Sequence, residues 1–554
     1  MAGGPEDCRF PQESSTTSTL TLMPLSRRDA LARLAALTAM TALPGCALPR
    51  SGGDPDPLDG TIAQYLAGFH RGRWSAAEVT AQALERCRRE GAALRAIDAL
   101  AETALDDARA ADARRRAGTL RGPLDGVPVF GKSIYDMQGL PTTASSAEWA
   151  RLFPEAVGRD AVEIARLRAA GAIVLGKTAA DDFAYEGEGT SSHTGQVLNP
   201  YDRTRSRTPG GSSAGSAVAV ACGMAFAALG TDDGGSNRIP AVCTGVVGMK
   251  PTFGLVPRTG VIPTWPYLDT HGPLARTVAD AALMLAAIAG PDASDPLALT
   301  AAWSGAPLAA LRDDALEGVR LGVVEAHVPR SQMTATAVAT WDRALADLRS
   351  AGAAVEPFAS PVTLADFRAA FAASAERRGD MKPDSRSPAA TANALYRYFA
   401  GRSDDPREAI RRGYPAYQQF YDVLPKTFEE CEPLFAQPME RDPAGQSFAK
   451  SRAEVVAGLA RTMRAAGVVA MVYPTMPFNA FPLPDAWPDI RTPLGYGNWL
   501  GLPEVSVPAG YDADGMPALN LSVVGLPGED AQVLALAHAY ERQSRRFVAP
   551  KRVA

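Results

Sequence analysis

The segments Pro209-Gly210-Gly211-Ser212-Ser213-Ala214-Gly215-Ser216 and Gly230-Thr231-Asp232-Asp233-Gly234-Gly235-Ser236-Asn237-Arg238-Ile239-Pro240 decide how this chain is read. Both are rich in Gly and Ser and stand beside apolar runs. Neither is a phosphate loop, because GxxxxGK[ST] is absent, and neither has the GxGxxG spacing of a dinucleotide site. Gly211 to Gly215 fits GxSxG with Ser213 as nucleophile, a pattern that needs a later acid and histidine. His271, His327 and His538 are available partners, but no HGG oxyanion motif precedes it. The second segment offers more. Two glycines before Ser236 leave the serine with little steric cover and let successive N–H groups converge where charge develops on an attacked carbonyl. Gly-Gly-Ser alone more often marks a plain turn, so the reading needs support from elsewhere in the chain.

Around these segments the pattern alternates between helix and strand. Leu58 to Arg116 reads as helical, with Ile62, Tyr65, Leu66 and Phe69 at helical spacing and a capping box at Ser75 and Glu78. Val127 to Phe130 reads as a buried strand that runs into Gly131-Lys132. Ala161–Ala170 reads as a helix stopped by Gly171, Ala172–Leu175 as a strand, Ala214–Leu229 as a helix and Val319–Glu325 as a strand. This alternation predicts an α/β protein. From Val362 to Arg452 the chain is helical, charged and aromatic, which suits a peripheral helical layer or a wall over the substrate.

The composition excludes several classes. The 554 residues carry a net charge of −5, with no basic footprint for nucleic acid. Six scattered cysteines have no CxxC pair, and no HExxH occurs, so no zinc site or disulfide framework is indicated. Lysines are few: seven of 56 cationic residues, Lys132, Lys177, Lys250, Lys382, Lys426, Lys450 and Lys551. Arginine cannot serve as a base, so a lysine in an apolar, Gly-rich setting is a candidate for chemistry. Ser447-Phe448-Ala449-Lys450 fits SxxK, but its companions SDN and KTG are missing.

The N-terminus reads as an address. Residues 1–22 form an unstructured extension, and Met23 is a candidate start. Residues 23–57 hold Arg27-Arg28, an Ala-rich apolar stretch too short to span a bilayer, Leu43-Pro44-Gly45-Cys46 and a Gly/Pro-rich linker. These resemble a twin-arginine export signal and a lipoprotein cleavage box with Cys46 as the lipidated residue, although Pro44 and Arg33 depart from the usual pattern. An exported protein, periplasmic or anchored to the membrane through Cys46, is expected; a basic helix on a cytoplasmic enzyme is the alternative. Residues 58–550 make up the expected catalytic domain.

Taken together, the motifs resemble the amidase signature family. The two segments quoted first carry the resemblance. It continues through Gly245-Val246-Val247-Gly248-Met249-Lys250-Pro251-Thr252 and Gly272-Pro273-Leu274-Ala275-Arg276-Thr277. Upstream it includes Gly126-Val127-Pro128-Val129-Phe130-Gly131-Lys132, and downstream Tyr473-Pro474-Thr475 and Gly501-Leu502-Pro503-Glu504. It covers nearly all of residues 60–545 with motifs in order. It implies a central mixed β-sheet covered by helices on both faces and a Ser–cis-Ser–Lys triad. Ser236 would be the nucleophile, Ser212 the bridging serine after a cis peptide, and Lys132 the base. Backbone N–H groups of Asp233, Gly234, Gly235 and Ser236 would form the oxyanion hole. Asp232 and Arg238 would pair to brace the loop, and Ser213 would support the triad; Lys177 and Lys250 read as structural. No metal and no cofactor is implied.

The departures bear on the chemistry. Ser133 stands where the family has an acid, which favours a neutral lysine. Ala214 replaces a Gly. Asp233 replaces a Thr or aliphatic residue, and a carboxylate aimed at an oxyanion would raise the barrier, so its side chain is expected to turn away. Asn237 replaces an aliphatic residue. The implied function is hydrolysis of a small linear amide through a seryl acyl-enzyme. The alternatives are an amidotransferase A-type subunit or a catalytically inactive binding protein. The expected partner is a small-molecule amide, with homodimerisation left open and no nucleic acid.

Overall fold

A computed structural model describes residues 56–202, 204–300, 303, 307–362, 386–483 and 491–551. The chain divides into two units, Met1–Asp54 and Pro55–Ala554, and the described residues belong to the second. The export and lipidation expectations, including Cys46, lie outside the described residues.

The strands are β1 (Ile97–Leu100), β2 (Pro128–Lys132), β3 (Ile173–Thr178), β4 (Thr190–Ser191), β5 (Gly195–Gln196), β6 (Ala227–Asp232), β7 (Val247–Lys250), β8 (Thr270–Ala275), β9 (Arg320–Val323), β10 (Ala354–Pro357), β11 (Ala470–Pro474), β12 (Glu504–Tyr511) and β13 (Pro517–Val524). All but the β4–β5 hairpin join one eleven-stranded sheet in the order β1-β3-β2-β6-β8-β7-β12-β13-β11-β9-β10. Pairs β3–β2, β2–β6, β11–β9 and β9–β10 are parallel, and the rest are antiparallel. The sheet is therefore mixed, and helices cover both faces. The principal helices are α1 (Ile62–His70), α2 (Ala76–Arg86), α3 (Ala104–Ala117), α4 (Val162–Ala169), α5 (Ala214–Ala221), α6 (Arg238–Thr244), α7 (Val278–Ile288), α8 (Ala335–Ser350), α9 (Pro388–Ala400), α10 (Pro406–Gln418), α11 (Pro443–Ala466), α12 (Arg491–Leu500) and α13 (Asp530–Ser544).

Local chemistry sets several boundaries. Ser75 and Glu78 form the capping box that starts α2, and Thr61 with Gln64 forms a second one at α1. Strands β2, β3, β6 and β7 are buried along their whole length. This is why they read as continuous apolar runs rather than alternating ones.

Two expectations are corrected. The helix predicted over Ala214–Leu229 stops at Ala221, and Ala227–Asp232 is strand β6. Gly223 turns the chain with φ of 65°, and Arg276 holds the turn by donating to the Val220 and Ala225 carbonyls. The helical reading of Leu58–Arg116 missed β1, a short, half-buried edge strand. The region from Val362 to Arg452 is helical where described. Its aromatics reach inward: Tyr417 donates to the Pro263 carbonyl at 2.8 Å and Tyr421 to the Phe183 carbonyl at 2.7 Å.

Among the described residues no helix is long and apolar enough to cross a membrane, and no group of His, Cys, Asp and Glu could hold a metal ion.

Candidate active site

Lys132 ends β2, next to β6 in the sheet, and is fully buried. Its Nζ donates to Ser212 Oγ at 2.7 Å and to Thr231 Oγ1 on β6 at 2.9 Å. The Gly211–Ser212 peptide is cis. Phe130 and Ile134, on either side of Lys132 in sequence, are also fully buried. Burial lowers the Lys132 pKa to about 8, against the opposing pull of Asp181, Asp233, Asp269 and Asp232. At that value a useful fraction of the lysine is neutral near physiological pH. Ser133, where an acid was expected by resemblance, accepts a neutral hydrogen bond from Ser145 Oγ at 2.9 Å.

Ser236 lies on the turn between β6 and α6 and is 8% exposed. Its carbonyl accepts the Ser213 N–H at 3.2 Å, which ties the two Gly/Ser segments together. The Ser212 and Ser236 hydroxyls make no hydrogen bond to each other, a looseness common in sites without substrate.

The turn is braced from below. Arg238 Nε and Nη2 donate to the two Asp232 oxygens at 2.9 and 2.8 Å. Arg238 Nη1 reaches Glu504 on β12 at 2.6 Å, and Nη2 reaches Asn498 on α12 at 2.6 Å. All four residues are fully buried. Arg238 draws the Asp232 carboxyl down to about 2 against the cost of burial. The Asp232 carboxylate in turn accepts the N–H groups of Gly235 at 2.7 Å and Asn237 at 3.1 Å. Gly235, expected in the oxyanion hole, therefore has its N–H engaged by Asp232. Among the described residues the N–H groups of Asp233, Gly234 and Ser236 have no acceptor. A Cβ at Gly234 would meet nothing within 4 Å, so this part of the turn faces open space.

The two departures beside the nucleophile have clear positions. Asn237 is buried, with Nδ2 donating to the Met249 carbonyl at 3.0 Å and Oδ1 accepting from Ser213 Oγ at 3.2 Å. Asp233 Oδ1 accepts from Thr264 Oγ1 at 2.8 Å and from the Trp265 N–H at 3.4 Å. Lys177 and Lys250 bond backbone carbonyls, Pro141 and Pro251, as structural lysines do. Ser213 is not placed as a nucleophile with a histidine: its hydroxyl serves Asn237 and the Thr231 carbonyl.

Sequence reasoning missed Thr231, Asp181, Asn498 and Glu504. Thr231 was quoted within the motif, but only the β2–β6 pairing brings it to Lys132. Asp181 is buried, accepts the N–H groups of Glu188, Gly189 and Thr190, and is pushed up to about 7 by burial.

The family profile for amidases matches residues 78–534. The A-type subunit of the glutamyl-tRNA(Gln) amidotransferase of Symbiobacterium thermophilum is 35% identical over 497 residues, 86% of this chain and 95% of that relative. The crystal structure of the native peptide amidase of Stenotrophomonas maltophilia superposes with a TM-score of 0.72 at 31% identity, over 90% of this chain and 100% of that one. The corresponding A-type subunit from Thermotoga maritima superposes with a TM-score of 0.64 at 25% identity, over 90% of this chain and 99% of that one. With its profile match, its relatives and its mixed sheet in accord, this chain belongs to the amidase signature family and is an enzyme that hydrolyses or transfers at carbon–nitrogen bonds.

Proposed function

We propose that the enzyme cleaves a carboxamide through an acyl-enzyme on Ser236, with Lys132 as base and Ser212 as the bridge. The 2.7 Å contact of Lys132 Nζ with Ser212 Oγ, inside a site that lowers the lysine pKa to about 8, is the observation that carries this reading. Neutral Lys132 takes the Ser212 proton as Ser212 takes the Ser236 proton, and Ser236 Oγ attacks the carbonyl carbon. The N–H groups of Asp233, Gly234 and Ser236 receive the oxyanion. The proton held on Lys132 returns through Ser212 to the leaving nitrogen as the C–N bond breaks. Water then attacks the ester by the same relay and releases the acid. Ser236→Ala is expected to abolish turnover and fluorophosphonate labelling, and Lys132→Ala to lower kcat at least about a hundredfold. Near-normal turnover in either variant would remove the assignment.

Two substrate readings follow from the relatives. Hydrolysis of a free linear amide suits the likeness to peptide amidase. A glutamine-cleaving component of an amidotransferase is favoured by the names of the curated relatives. A panel of amides that includes glutamine, assayed for released amine by mass spectrometry, separates them. Turnover of glutamine alone, and only with partner subunits, selects the second. Export and a lipid on Cys46 are part of the proposal, and Cys46→Ser is expected to move the protein out of the membrane fraction.

A further inference from the structure

Four carboxyl groups act on the Lys132 ammonium: Asp181, Asp233, Asp269 and Asp232. Three of them have partners that account for their charge. Asp232 is held by Arg238. Asp269 faces His271 at 3.3 Å, and the other ring nitrogen of that histidine meets Glu163. Asp181 accepts backbone N–H groups. Asp233 has one hydroxyl and one distant N–H, both on Oδ1, and no salt bridge among the described residues.

Asp233 also differs in exposure. Residues 223–250 are buried except for Asp233 and Gly234, which open onto the space above the turn. That space lies beside the N–H groups that would receive an oxyanion, where a substrate must sit. Trp265, whose N–H reaches Asp233, is a partly exposed aromatic residue beside it. The Trp265 ring meets Tyr421 edge-on at 5.2 Å, and Tyr421 stacks on Tyr417 at 4.5 Å. The hydroxyls of Tyr417 and Tyr421 are committed to the Pro263 and Phe183 carbonyls, and both residues are buried, Tyr421 against the Trp265 ring. Asp269 is buried, with its carboxylate 3.3 Å from His271 Nε2. Asp233 thus offers a carboxyl oxygen with no donor among the described residues, beside a partly exposed Trp, a combination that fits an ammonium group.

We propose that Asp233, backed by Asp269 and flanked by Trp265, is a specificity-determining residue that selects amides bearing an ammonium group close to the scissile carbonyl. The proposal rests on Ser236 being the nucleophile. The charged and titratable groups near Asp233 are Asp232, which precedes it at the end of β6, Lys132 on β2, Asp269 before β8, Arg258, and Tyr417 and Tyr421 from the helical layer. Arg258 is already paired with Asp295 at 2.7 Å. Burial and the Asp269 charge hold the Asp233 carboxyl well above the ordinary carboxylate range. An arriving ammonium reverses that balance: the carboxyl proton passes to solvent, and an ion pair remains in a site of low dielectric.

The test uses L-leucinamide, which carries an α-ammonium, and 4-methylpentanamide, the same amide without it. Each is added as a protectant while a fluorophosphonate labels Ser236. Wild-type protein is expected to be protected by L-leucinamide at a concentration at least tenfold lower than by 4-methylpentanamide. In Asp233→Asn and Asp233→Thr that preference is expected to disappear. Because the readout is a ratio within one protein, a general weakening of the site does not move it. Equal protection of the wild type, no protection by L-leucinamide, or a preference that survives in a folded Asp233 variant would each overturn the proposal. Wild-type protein that is not labelled at all would instead remove the serine-nucleophile reading.

Discussion

At the scale of single residues, this enzyme works by burying charges in unequal company. Lys132 has hydroxyl partners and a pKa of about 8, whereas Arg238 has two carboxylates. Lys132, as the proposed base, must be neutral, so kcat/KM is expected to rise with pH through about 8 and to fall about tenfold per unit below it. A profile flat between pH 6 and 9, measured under single-turnover conditions, would rule out Lys132 as the base. Arg238 is the opposite case. Arg238→Met would leave Asp232 and Glu504 buried without their guanidinium partner, at a cost of about 3–5 kcal/mol in urea unfolding. Arg238→Lys should recover little, because an ammonium cannot reproduce the two-pronged contact with Asp232. The Asp232–Arg238 pair was legible in the sequence because both residues sit in one short motif. Glu504 and Asn498 were not, since more than 250 residues separate them from Arg238 and only the sheet order brings them near.

At the scale of elements, the site depends on how closely α5 approaches its neighbours. The helix is made of small residues and is wholly buried. A Cβ added at Gly215 would stand 2.2 Å from the Ala96 carbonyl oxygen and 2.6 Å from that of Ala179, both backbone atoms that cannot swing aside. Gly215→Ala is therefore expected to destabilise the protein by about 1–3 kcal/mol, seen as a lower thermal midpoint, and to displace Ser212 just ahead of the helix. Unchanged stability would show that α5 has room to move. The sequence misled at this element because Ala214 to Leu229 is apolar apart from Ser216. A fully buried helix and a fully buried strand lack the polar positions that would separate period 3.6 from period 2. Only Gly223 marked the break. The lysine strand was easier to read, since Gly131-Lys132 closes a short apolar run.

At the scale of the whole molecule, the α/β class was legible from alternation, but the strand order was not. Periodicity carries no information on which strands pair, and β1 and β10 at the two edges are too short to announce themselves. The resemblance supplied the mixed sheet. The chain divides into the units Met1–Asp54 and Pro55–Ala554. A chain that starts at residue 56 is expected to keep the thermal midpoint and turnover of the full chain, and a loss of either in the shortened protein would place residues 1–55 in the fold.

The distribution of the site along the chain has a consequence for biosynthesis. Lys132, Ser212 and Ser236 are all in place before the midpoint of the 554 residues emerges from the ribosome. The turn that carries Ser236 rests on Asn498 and Glu504, which are made near the end. A growing chain thus holds its full set of reactive groups for most of its synthesis while the turn lacks these late partners. The turn proposed to carry the nucleophile therefore gains these partners only in the last tenth of the chain.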